Sequence, residues 1–168
     1  FEAAYEAFAE QVRVGAAAGA DLILIETMSD LYEAKAAILA ARENADLPIF
    51  CTMTFQEDGR TLTGADPLTM VNTLQSLGVT ALGFNCSLGP KELLPLVREA
   101  LKFAQVPIMV QPNAGLPQSV GEETVFQTTP AEFAAYAKQM AAAGVRILGG
   151  CCGTTPAHIQ ALKSMLAD

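Results

Sequence analysis

Cys151 and Cys152 stand side by side, bracketed by Gly149, Gly150 and Gly153 and followed by Thr154-Thr155-Pro156. Adjacent cysteines are poorly placed to bridge each other: neighbouring Cα atoms lie about 3.8 Å apart, whereas a disulfide wants roughly 4.4–6.8 Å. Two roles suit such a pair, small apolar thiols filling a core or two ligands to one metal. The flanking glycines favour the second, because they allow close backbone approach at a strand end. Thiolate is a soft ligand, and zinc is a metal that takes it.

The elements that position this pair follow from apolar periodicity and from start and stop residues. Phe1 to Ala18 has a helical pattern, with Phe1, Tyr5, Phe8 and Val12 apolar and Gly19 closing it. Asp21 to Glu26 is a continuous apolar run ending in a carboxylate, the pattern of a strand buried on both faces. The same alternation continues along the chain. A helix capped by Ser29 or Asp30 runs to about Glu43, and a strand runs from Ile49 to Phe55. Asp66-Pro67 opens a helix that Gly78 ends, and Thr80 to Cys86 is a strand. Gly89-Pro90 opens another helix, and Val106 to Gln111 is a strand. A helix starts at Thr129-Pro130 with Glu132 completing a capping box, Val145 to Leu148 is a strand, and Thr155-Pro156 opens the last helix. Residues 113–128 form an unusually long connection, a kind that often carries function. A leading helix and βα units of about 30 residues predict a parallel sheet with right-handed crossovers. The chain is expected to form one domain over residues 1–168.

Active sites in parallel α/β folds lie at the carboxyl ends of the strands. The predicted ends fall near Glu26, Thr54, Cys86, Asn113 and Cys151-Cys152. In a barrel these ends converge on one mouth, so Cys86 meets the pair in space. Three thiolates with one open position describe a catalytic zinc site, since a structural one would be closed by a further protein ligand. Cys51 lies inside its strand and is read as core. Three thiolates on a divalent zinc leave about one net negative charge, which makes a weak Lewis acid. Such a site is better suited to holding a substrate thiol as a nucleophilic thiolate at neutral pH.

The composition bounds the partners. The chain has 168 residues, 51% of them hydrophobic, and a formal charge of −8. The acidity argues against nucleic acid or an anionic membrane surface as partner. No apolar run approaches the length of about 18 residues that a transmembrane helix needs, and no signal-peptide pattern is read. Four cysteines, two of them adjacent, do not resemble a secreted disulfide framework, so a reducing cytoplasm is expected.

The segments Glu26-Thr-Met-Ser-Asp, Gly83-Phe-Asn-Cys-Ser, Pro112-Asn-Ala-Gly and Gly149-Gly-Cys-Cys-Gly-Thr-Thr-Pro-Ala-His occur in the order seen in the homocysteine S-methyltransferases, which the chain resembles over nearly its whole length. The Thr-Thr-Pro-Ala-His ending is most similar to the homocysteine-binding module of the cobalamin-dependent methionine synthases in that family. The resemblance implies a (βα)8 TIM barrel with zinc on Cys86, Cys151 and Cys152, and homocysteine sulfur as the fourth ligand. It implies that Glu26 holds the substrate ammonium group and that Asn113 occupies the zinc when substrate is absent. The implied reaction is zinc-dependent methyl transfer to homocysteine, forming methionine, with the donor bound outside this chain: methylcobalamin, with corrinoid or folate modules of a longer protein as partners, or else S-methylmethionine or another small donor. Simpler roles stand beside these: Glu26 as a helix cap, Asn113 as a turn residue before Gly115, His158 on the surface, and Glu57 and Asp58 in a solvated loop.

The chain departs from the family in size. A (βα)8 barrel takes about 250 residues, and the family's amino-terminal strands have no counterpart here. The expected fold is therefore a partial TIM barrel of about five parallel strands, with the missing barrel half absent or supplied by another chain. Such a piece would expose two sheet edges and be inactive and poorly stable alone. Two alternatives carry different chemistry. One is a non-catalytic barrel fragment or assembly element with a structural thiol cluster. The other is a phosphate-binding barrel using Gly149-Gly150, against which the adjacent cysteines and the lack of a following basic residue count.

Overall fold

The computed structural model of the protein describes residues 1–121 and 123–167. In chain order the elements are α1 (Glu2–Ala17), β1 (Ile23–Met28), α2 (Leu31–Asn44), β2 (Ile49–Met53), α3 (Pro67–Ser76), β3 (Ala81–Asn85), α4 (Pro90–Leu101), β4 (Ile108–Gln111), β5 (Gln118–Val120), β6 (Glu123–Val125), α5 (Pro130–Ala143), β7 (Ile147–Leu148) and α6 (Pro156–Ala167). Five strands form one parallel sheet in the order β1-β2-β3-β4-β7. Each helix returns the chain to a strand beside the last, so the sheet grows in one direction as a TIM barrel wall does. The wall does not close on itself: β1 and β7 are its two edges.

Local signals set the helix starts. Asp30 accepts from the Glu33 N–H at 2.8 Å, and Asp66 accepts from the Thr69 N–H at 2.8 Å with Pro67 in the first turn. Thr129 and Glu132 form the full reciprocal capping box. The strands then separate two faces by their period of two. Ile25, Cys51, Leu82 and Ile108 are register partners and pack into the core with Phe55, Phe84, Met70 and Leu74 under the helices. Cys51 is fully buried, as its place inside a strand requires, and burial pushes its thiol up to about 12. The alternate positions form the inner face of the wall: Leu24 beside Phe50 and Ala81, then Thr52 beside Gly83 and Met109, then Asn85 beside Gln111. Gly83 is needed there because a Cβ would sit 1.8 Å from the Met109 carbonyl oxygen.

One expectation changes and another gains detail. β1 extends to Met28, so Glu26 lies within the strand and not at its end. The long connection is not structureless: β5 and β6 pair antiparallel, Gln118 with Val125 and Ser119 with Thr124, as a small hairpin standing off the sheet.

Candidate metal-thiolate site

β3 ends at Asn85, and the chain turns sharply there. Cys86 and Ser87 both adopt left-handed backbone, at φ 61° and 53°, a conformation that costs energy for residues with a Cβ. The turn is held by the Cys86 N–H on the Gln111 carbonyl at 3.1 Å and the Leu88 N–H on the Cys86 carbonyl at 2.6 Å. On the neighbouring segment the ladder runs past β7. The Gly149 N–H donates to the Val110 carbonyl at 3.0 Å and the Cys151 N–H to the Pro112 carbonyl at 2.8 Å. This extension carries both cysteines to the mouth that Cys86 faces.

The three thiols converge. All their sulfurs lie within 4.8 Å of one another, with Cys86 to Cys152 at 3.7 Å and Cys151 to Cys152 at 4.0 Å. Zinc–sulfur bonds of about 2.3 Å in a tetrahedron place sulfurs about 3.8 Å apart, so the donor set fits zinc in both identity and spacing. Without a cation, burial and then the Cys86 thiol push Cys151 up to about 12. Cys152 is also raised, first by its hydrogen bond with Cys86. This pair therefore stays protonated near neutrality unless a positive charge compensates.

Asn85 is the functional residue that sequence reasoning missed. It is buried, and its Oδ1 accepts from the Thr27 N–H and the Thr52 hydroxyl, each at 2.8 Å. Its Nδ2 donates to Thr27 Oγ1 at 2.6 Å and approaches Cys151 Sγ at 3.9 Å. One amide thus joins three strands to the Cys151 sulfur. Its hold on Thr27, which has φ 62°, coincides with the register shift between Ile25 and Met28 in β1. Glu26 sits on this bulge, exposed on the inner face and lining a cleft of about 350 Å3 with Phe8, Leu24 and Met28 at the β1 edge. Sequence offered one signal, a polar residue closing an apolar strand beside a cysteine.

Asn113 is buried, and its Oδ1 accepts from the Cys152 N–H at 3.0 Å. In this arrangement its side chain braces the cysteine loop. Gln111 projects beside Asn85, and its Oε1 is buried with no hydrogen-bond partner among the described residues. An orphaned acceptor of this kind suits a ligand with N–H or O–H groups. Ser87 and Thr54 share a 2.6 Å hydroxyl contact at the rim. Glu57 and Asp58 are exposed, as expected of a solvated loop. His158 corrects the sequence expectation: it is buried, not on the surface, because Phe133 packs edge-on against its ring at 5.4 Å. It lies outside the thiol cluster.

A parallel βα wall with three thiols gathered at its carboxyl end defines a TIM-barrel-type fold with a candidate thiolate metal site. The chain belongs to the homocysteine S-methyltransferase family, whose model matches residues 1–166. It is 37% identical over 156 residues to the methionine synthase of Mycobacterium tuberculosis, spanning 89% of this chain and 13% of that protein. The homocysteine methyltransferase MmuM from Escherichia coli superposes in its apo form with a TM-score of 0.73 at 30% identity, covering 96% of this chain and 57% of that one. Its metallated form superposes with a TM-score of 0.76 at 28% identity, covering 95% and 51%. The chain thus spans about an eighth of the curated relative and somewhat over half of the solved one. Among the described residues no helix is long and apolar enough to cross a membrane.

Proposed function

We propose that this chain supplies the zinc-binding part of an enzyme that transfers a methyl group to the thiol of homocysteine, forming methionine. The observation that carries this is the cluster of Cys86, Cys151 and Cys152, whose sulfur spacing matches one tetrahedral ion with a position left open. Zinc held there would favour the thiolate form of the substrate sulfur near pH 7. The substrate sulfur attacks the donor's methyl carbon. A sulfur–carbon bond forms, the donor–methyl bond breaks with its electron pair leaving on the donor, and the thiol proton passes to solvent. Glu26, exposed on the inner face, pairs with the substrate ammonium, and the unpartnered Gln111 Oε1 is a second acceptor for it. Asn113, which braces Cys152 through its Oδ1, would be the residue that takes the open metal position when substrate is absent.

The methyl donor, methylcobalamin in this reading, comes from modules outside the chain, in keeping with the small share of the mycobacterial methionine synthase that the chain matches. The free edges of β1 and β7 support a barrel completed by further strands. They also favour the second reading, a non-catalytic barrel piece whose thiols only stabilise the fold. Metal analysis followed by homocysteine titration separates the two. One zinc per chain is expected, lost in Cys86→Ala, with a metal coordination shell that changes when homocysteine is added. Full zinc occupancy in Cys86→Ala would remove the proposed ligand set. An unchanged coordination shell would leave the structural reading.

A further inference from the structure

The hydrogen bonds next to Cys152 close into a circuit. The Cys152 carbonyl accepts from the Ala114 N–H at 2.9 Å, and the Ala114 carbonyl accepts from the Thr128 N–H at 2.9 Å. The Thr128 carbonyl faces His158 Nε2 at 3.0 Å, and His158 Nδ1 accepts from the Thr155 N–H at 3.1 Å. Thr155 follows Cys152 by only a few residues, so the chain itself completes the ring. Because a carbonyl can only accept, Nε2 carries the proton that Thr128 receives, while Nδ1 takes the Thr155 N–H and also lies 2.9 Å from the Thr155 hydroxyl. Ala114 and Thr128 are the two ends of the segment that carries the β5–β6 hairpin, so the ring joins the base of that excursion to the cysteine loop.

Two roles can be separated at His158. It stands where the glutamate or glutamine of a capping box stands, accepting the N–H of the residue that opens α6. A cap needs only an acceptor. The donor on the opposite nitrogen serves the Thr128 carbonyl, which lies 30 positions away and outside α6.

We propose that His158 is a positioning residue for the thiol site: it latches the base of the β5–β6 hairpin to the loop of Cys151 and Cys152 through the Thr128 carbonyl. The latch rests on geometry alone; only its metal readout rests on the proposed zinc site. His158→Glu keeps the cap acceptor and removes the donor, whereas His158→Gln offers both. Amide hydrogen exchange on the metal-free full chain is the first readout. In His158→Glu the Thr128 and Ala114 amides should exchange about tenfold faster or more while the Thr155 amide stays protected, and His158→Gln should track the native protein. Zinc affinity by competition with a chromophoric chelator is the second, expected to fall about tenfold in His158→Glu, the lower range for residues that support metal ligands. Unchanged Thr128 protection together with native zinc affinity in His158→Glu would reduce His158 to a cap and overturn the proposal. If the native chain binds no zinc, the metal assignment fails while the exchange comparison still decides the latch. Should His158→Glu not fold, the imidazole nitrogen NMR shifts of the native protein decide: an Nε2–H tautomer supports the latch, and an Nδ1–H tautomer overturns it.

Discussion

Asn85 carries more of the site than its single amide suggests, since it bonds to Thr27, Thr52 and the sulfur of Cys151 at once. Asn85→Ala strands the buried Thr52 hydroxyl, at about 1–3 kcal/mol, and should lower the melting temperature together with zinc affinity. Asn85→Asp keeps the acceptor but puts a carboxylate beside Cys151, so its zinc affinity should fall further than its stability, as chelator competition and thermal melting would show together. A second consequence concerns protons. Cys151 and Cys152 are raised above their ordinary value, so a metal must displace protons that the free site holds firmly. Zinc affinity should therefore fall steadily as pH drops from about 8 towards 6, with proton release measurable by calorimetry in buffers of different ionisation heat. The thiol cluster was readable because cysteines at the strand ends of a barrel wall converge on one mouth. Asn85 and His158 were not. A polar residue closing a strand declares its partners only once register is known. A lone histidine in the first turn of a helix looks solvated until Phe133 and Thr128, from remote segments, close over it.

At the scale of elements, the hairpin and the cysteine loop lean on each other. Gly153 has φ 77°, and a Cβ there would lie 2.3 Å from the Phe126 ring that follows β6. Gly153→Ala must therefore push the ring away and hold a strained backbone, at a cost of about 1–3 kcal/mol. A lower melting temperature and weaker zinc binding are both expected; a melting temperature and zinc affinity equal to the native values would show that Phe126 yields freely. Asp30, Asp66 and Thr129 announced their helices because capping needs only local atoms. β5 and β6 gave no such notice. They are three residues each, mostly exposed, and lack the apolar alternation that marks a strand against a core.

For the whole molecule, the open wall is the governing fact. The helix-covered face is packed, but Leu24 on the inner face of β1 is exposed and the β1 edge opens onto a cleft. Adding homocysteine and a methyl donor to the isolated 168-residue chain should yield no methionine at the rate of a complete relative; turnover at that rate would show that the arc is sufficient. β7 is the weakest member of the wall, since its ladder to β4 has only the pairs Met109–Ile147 and Val110–Leu148. Yet the segment that follows it carries two of the three sulfurs, and the third follows β3, across the one intervening strand β4. An ion shared among them would staple residues 66 positions apart. Because the ion binds the folded site and not the unfolded chain, it would stabilise the fold by mass action, by about 4 kcal/mol where free zinc stands roughly 1,000-fold above its dissociation constant. A bound ion would then act as the rivet that keeps the last strand seated, and stripping it would first loosen the wall at its carboxyl-terminal edge.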